Sequence, residues 1–121
     1  MNKIILYSYL RCSTCRKAAK WLDKNDFEYH LIDIVKEPPL FNYLNLALEQ
    51  YSEDIKIIFN TRGKAFKSLD VDIYGLSSEE IIQLFLSDGK LIKRPFLIYE
   101  EKKIILGFNE IEYAKQLRLK N

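Results

Sequence analysis

The sequence predicts an α/β domain whose mixed four-stranded sheet carries a helical insertion between the second and third strands. Three observations predict it. The first third alternates a short β-prone run, an amphipathic helical stretch and a second β-prone run. The middle third opens at Pro38-Pro39 and has helical periodicity. The last third returns to two short β-prone runs followed by a capped helix.

Taken in order, Ile4 to Tyr7 is rich in branched and aromatic residues and gives way at Ser8 to a loop reaching about Arg11. A helix then fits from Ser13 to Lys24. Cys15, Ala18, Ala19 and Leu22 recur on one inward face, and Arg16, Lys17, Lys20 and Asp23 point outward. Asn25-Asp26 ends it, and Glu28 to Ile34 reads as the second strand, parallel to the first through the crossover. After the prolines, Leu40 to Tyr51 is helical with Leu44, Ala47, Leu48 and Tyr51 on one side. Shorter segments cover Ile55 to Asn60 and Gly63 to Leu69. Ser77-Ser78-Glu79-Glu80 has capping-box spacing and launches a helix that Asp88-Gly89 closes. Phe96 to Tyr99 and Ile104 to Leu106 form a hairpin. Asn109 and Glu112 then cap a last helix with Ile111, Ala114 and Leu117 facing inward. This order of elements is that of a thioredoxin-like fold.

At 121 residues and 48% hydrophobic content, the chain can bury a core without disulfide staples. No repeat or linker interrupts residues 1–121, which read as one domain. The 19 basic residues against 17 acidic ones leave a net charge of +2, spread along the chain, which counts against direct nucleic-acid binding. The N-terminal apolar run is too short for a signal peptide, and nothing approaches a membrane span, so a cytoplasmic protein is expected. In that compartment a close cysteine pair points to redox chemistry or a metal.

Cys12-Ser13-Thr14-Cys15 stands where the first strand turns into a helix. A thiol attacks as thiolate. Cys12, at the helix start, faces unpaired N–H groups and the positive end of the dipole, and is close in sequence to Arg11 and Arg16. Cys15 lies one turn on, within reach of its sulfur. Cys12 is therefore read as the exposed nucleophile and Cys15 as the more buried resolving thiol, in a small ring that opens and closes with redox poise. Two other readings stay open. The pair could be half a zinc site, although the chain has only these two cysteines and a single histidine, His30, so carboxylates or a second chain would have to complete it. It could also be two small buried hydrophobes. The strand-turn-helix context favours the redox pair, with no metal or bound cofactor.

Arg94-Pro95 precedes the third strand, where thioredoxin-like folds place a cis proline facing the thiols. Arg94 would then point at the cysteine loop and hold an anion or a glutathione carboxylate; otherwise it is a solvated arginine. Arg62, in Asn60-Thr61-Arg62-Gly63, is a second candidate cation or a surface residue of a polar turn. His30 has no assigned role.

Cys12 to Ala18, Trp21-Leu22, Asn60 to Gly63, Leu91 to Pro95 and Gly107-Phe108-Asn109-Glu110 together resemble the ArsC/Spx family over nearly the whole chain. That family comprises arsenate reductases, their relatives of unassigned substrate, and the Spx transcription regulators, and the resemblance implies a bacterial protein. It implies that Cys12 attacks the substrate and that Arg94 and Pro95 form the oxyanion or thiol-partner site, with Arg16 and Arg62 as further binding candidates. Arg62 lies near a second oxyanion-binding arginine of the reductases, whose column falls closer to Asn60, and a third is replaced here by Gly107. Reductases coupled to glutathione and glutaredoxin commonly lack a cysteine at the position of Cys15. The implied function is a thiol-disulfide oxidoreductase acting on a small thiol or oxyanion, with glutathione, glutaredoxin or a thioredoxin-type protein as reductant. The alternative implied by the paired cysteines is a redox-sensing regulator that binds the RNA polymerase α subunit, although the chain stops at Asn121 without the tail typical of those regulators.

Overall fold

A computed structural model describes residues 3–117. Four strands form one sheet: β1 (Ile4–Ser8), β2 (His30–Asp33), β3 (Phe96–Tyr99) and β4 (Lys103–Leu106). Their spatial order is β2-β1-β3-β4, with β1 parallel to β2 and antiparallel to β3, and β3 antiparallel to β4. The expected mixed sheet is therefore the observed one. The helices are α1 (Ser13–Lys24), α2 (Phe41–Gln50), α3 (Lys64–Lys67), α4 (Ser78–Ser87) and α5 (Glu110–Gln116). Short 3₁₀ turns at Ile55–Ile58, Ile73–Gly75 and Gly89–Leu91 complete the insertion.

Strand alternation divides the core in two. Ile4, Leu6, Leu97, Tyr99 and Ile105 face α1 and α5, where they meet Ala18, Trp21, Leu22, Tyr113 and Leu117. Ile5, Tyr7, Phe96, Ile98 and Ile104 face the insertion and meet Leu44, Ala47, Ile82 and Phe85. Each large side chain so buried contributes about 1.5–3 kcal/mol relative to exposure. Covering both faces explains why β3 is apolar at all four positions instead of alternating.

Two expectations are corrected. The second strand is shorter than Glu28 to Ile34, because β2 is an edge strand pairing only with β1. Ile34 is nevertheless fully buried just beyond it. In the last helix Ile111 is 78% exposed, and Tyr113 is the residue driven inward. Its ring packs edge-on against Trp21 at 5.7 Å and Phe108 at 4.8 Å, an aromatic cluster that sets the rotation of α5.

Candidate functional site

β1 ends at Ser8, and the chain turns through Tyr9, Leu10 and Arg11 before α1 begins. The Cys12 amide donates to the Tyr9 carbonyl at 2.9 Å, closing this turn. Cys12 is the N-cap of α1, with extended backbone (φ −94°, ψ 113°), and its sulfur accepts the Cys15 amide at 3.3 Å. The Cys12 sulfur thus occupies the place that a serine or aspartate oxygen usually fills and satisfies one of the helix's unpaired donors.

The two cysteines, both free thiols, differ sharply. Burial alone would raise the Cys12 thiol. Hydrogen bonds from the Cys15 side chain and backbone, and the hydrogen bond and charge of Arg94, outweigh it and hold Cys12 below the ordinary thiol value. Cys15 is fully buried. Burial and the neighbouring Cys12 sulfur push it up to about 12, against the opposing hydrogen bonds of the Ser8 side chain and Tyr9 backbone. The surroundings thus favour the charged form of Cys12 and the neutral form of Cys15.

Arg94 reaches this site through sheet register. Tyr7 lies opposite Phe96, and continuing the antiparallel pairing sets Tyr9 beside Arg94. The guanidinium lies over the Tyr9 ring at 5.0 Å from its centroid. The Arg94-Pro95 bond is cis, and the buried Pro95 accepts the Gly107 amide at 2.9 Å. One Arg94 nitrogen, Nη1, is buried without a hydrogen-bond partner among the described residues, so a donor of the side chain that acts on Cys12 is left unused.

The other predicted cations stand differently. Arg16 Nη1 donates to the Leu10 carbonyl, so this side chain braces the turn before Cys12. The cation that lowers the Cys12 thiol by hydrogen bond and charge is Arg94, which is distant in sequence, unlike Arg11 and Arg16. Arg62 is exposed in the Asn60–Gly63 turn, with no hydrogen bond or ion pair to Cys12 or Arg94 among the described residues. The Asn60 amide does bind the Leu91 carbonyl at 2.8 Å, tying that turn to the segment that leads to Arg94. Gly107 has φ +72°, a left-handed conformation that favours glycine, at the position where the resemblance expects an arginine. His30 is exposed on the edge strand. Among the described residues no group of three or more metal-ligating side chains converges, and no helix is long and apolar enough to cross a membrane.

Sequence reasoning missed Ser8 and Tyr9. Both act on the thiols through groups whose relevance depends on register, and only Tyr9's place beside the cysteine turn was visible as a signal.

Paired thiols at a strand-to-helix turn, beside an arginine on a cis-proline strand, define a thioredoxin-like thiol protein. The chain belongs to the ArsC family, whose model matches residues 7–116. It is 38% identical to the uncharacterized protein YusI of Bacillus subtilis over 114 residues, covering 93% of this chain and 96% of that protein. It is 33% identical to the global transcriptional regulator Spx of Lactiplantibacillus plantarum over 114 residues, covering 94% of this chain and 86% of the regulator. A Streptococcus mutans structure described as a possible arsenate reductase superposes with a TM-score of 0.80 at 38% identity, covering 88% of this chain and 91% of that one.

Proposed function

We propose that the protein is a cytoplasmic thiol-disulfide oxidoreductase of the arsenate reductase-like group. Cys12 attacks as thiolate and forms a mixed disulfide with an oxidised substrate, releasing the substrate's other sulfur as a thiolate. Cys15 then loses its proton and attacks the Cys12 sulfur. The second substrate thiolate leaves, and the pair is oxidised to an intramolecular disulfide. A glutathione, glutaredoxin or thioredoxin-type reductant returns both sulfurs to thiols, and no bound cofactor takes part. Arg94 steadies the Cys12 thiolate and offers Nη1 to an anionic group of the substrate.

The observation that carries this reading is the placement of two free thiols one helical turn apart, Cys12 half-buried at the N-cap within reach of Arg94 and Cys15 fully buried. These surroundings lower the first and raise the second to about 12. The test is a reduction assay with disulfide substrates and arsenate, comparing wild type with Cys12→Ser and Cys15→Ser. Cys12→Ser should abolish turnover, and Cys15→Ser should accumulate the mixed disulfide. Turnover unchanged in Cys12→Ser rules the mechanism out.

The similarity to Spx, together with the paired cysteines, supports a second reading, a redox-sensing regulator that binds the RNA polymerase α subunit. A pull-down against the α C-terminal domain in oxidised and reduced states separates the two. Binding in neither state removes this second reading.

A further inference from the structure

The outer face of α1 does not merge into a featureless surface. Lys17, Lys20 and Lys24 form one rim of a groove of about 560 Å³ whose far side is the start of α5 and whose floor includes Trp21 and Phe108. Thr14 lines its end nearest the thiols, two residues from Cys12. The Trp21 and Phe108 rings meet at 6.5 Å with a tilt of 57°; Trp21 is 9% exposed and Phe108 half-buried, so the apolar surface offered to the groove is small. All three lysines are exposed, and none is in an ion pair among the described residues. Glu110 is the one acidic residue in the lining. Basic residues that look dispersed along the chain are thus gathered by the helical repeat into one stripe beside an apolar floor.

We propose that this groove docks an acidic segment of a partner polypeptide, with an apolar side chain seated against Trp21 and Phe108. Carboxylates complement the lysine rim and steer association, and the apolar anchor resists dissociation. The proposal rests on the oxidoreductase reading, because the end of the groove at Thr14 would bring the partner's disulfide toward Cys12.

The experiment uses two cysteine peptides, one glutamate-rich and one lysine-rich, each with a single phenylalanine and each activated as a mixed disulfide with thionitrobenzoate. Attack by Cys12 on the peptide sulfur forms the protein–peptide disulfide and releases thionitrobenzoate. Docking is read separately, with unactivated peptides, from the emission of Trp21, the only tryptophan, in the Cys12→Ser variant. The acidic peptide should react about tenfold faster at low salt and lose that advantage at high salt. The combined K17E, K20E and K24E variant should reverse the preference, and the corresponding triple alanine variant, which keeps helix propensity, should erase it. Equal rates for the two peptides, or a preference unchanged in both triple variants, overturns the proposal. If neither peptide releases thionitrobenzoate while Trp21 emission still follows the acidic one, the groove stands and the redox reading falls. A single-stranded oligonucleotide that perturbs Trp21 more tightly than the acidic peptide assigns the groove to nucleic acid and also overturns the proposal.

Discussion

Cys12 owes its character to two residues that arrive from different places: Cys15, through its amide and thiol one turn along, and Arg94 from across the sheet. Replacing Arg94 by methionine keeps much of the side chain's bulk but removes the charge and the hydrogen bond. The Cys12 thiol should then titrate at higher pH, followed by thiolate absorbance, and alkylate several-fold more slowly at neutral pH. Tyr9, under the guanidinium, should behave as a positioning residue. Tyr9→Phe retains the ring and should match wild type, whereas Tyr9→Leu should raise the Cys12 titration in the same direction as Arg94→Met. The thiols also make stability depend on pH. Cys15 is raised in the folded protein, so its contribution is complete below the unfolded thiol value of about 8.5 and is lost as pH rises toward about 12. Cys12 is lowered, so its contribution is present above about 8.5 and is lost as pH falls through its folded value. Urea unfolding of the reduced protein should therefore show the advantage of wild type over Cys15→Ala shrinking from pH 7 to pH 10. A constant difference would contradict the assignment.

Among the elements, β4 lies at the edge of the sheet, where unpaired backbone groups invite another strand. Gln50, at the end of α2, closes that edge. Its Oε1 accepts the Ile104 amide at 2.9 Å and its Nε2 donates to the Ile104 carbonyl at 2.6 Å, with the Tyr51 hydroxyl donating to the same oxygen at 3.2 Å. A side-chain amide thus imitates a fifth strand for one residue. Gln50→Ala should cost about 1–3 kcal/mol in urea unfolding and speed exchange of the Ile104 amide, because Tyr51 can replace only the carbonyl's partner. At α4 the expected capping box is present. Ser77 Oγ accepts the Glu80 amide at 3.1 Å, and Glu80 returns a carboxylate to the Ser77 amide at 2.9 Å, which also holds the Glu80 carboxyl below its usual range. Ser77→Ala should cost about 1 kcal/mol by the same measurement.

Across the whole molecule, Gly89 shows how the insertion is clamped to the sheet. A Cβ at this position would stand 1.9 Å from the Ile34 carbonyl oxygen, so glycine is required by close approach of two backbones. The helix before it closes instead on Asp88, in an extended conformation (φ −155°, ψ 100°). Gly89→Ala should destabilise the protein by about 1–3 kcal/mol or more, since backbone must move to admit the methyl group. The loss would be read as a lower urea midpoint with an unchanged slope.

Local sequence was enough for whatever neighbours along the chain decide. The Ser13–Lys24 helix, the Phe96–Tyr99 strand and the Ser77 capping box follow from periodicity and caps that act within a few residues. So does the placing of Cys12 at a helix start one turn from Cys15. Tertiary structure alone decided the rest, because pairing and packing join residues far apart in sequence. It shortened β2 by giving it one neighbour, and it rotated α5 so that Tyr113 rather than Ile111 meets Trp21. It brought the distant Arg94 to Cys12 as a lowering charge, since antiparallel register carries Arg94 to Tyr9, while Arg16 turns back to the Leu10 carbonyl. That two cysteines stand one turn apart at a helix start is a local fact. How their two sulfurs differ is a fact of burial and register, which no stretch of sequence contains.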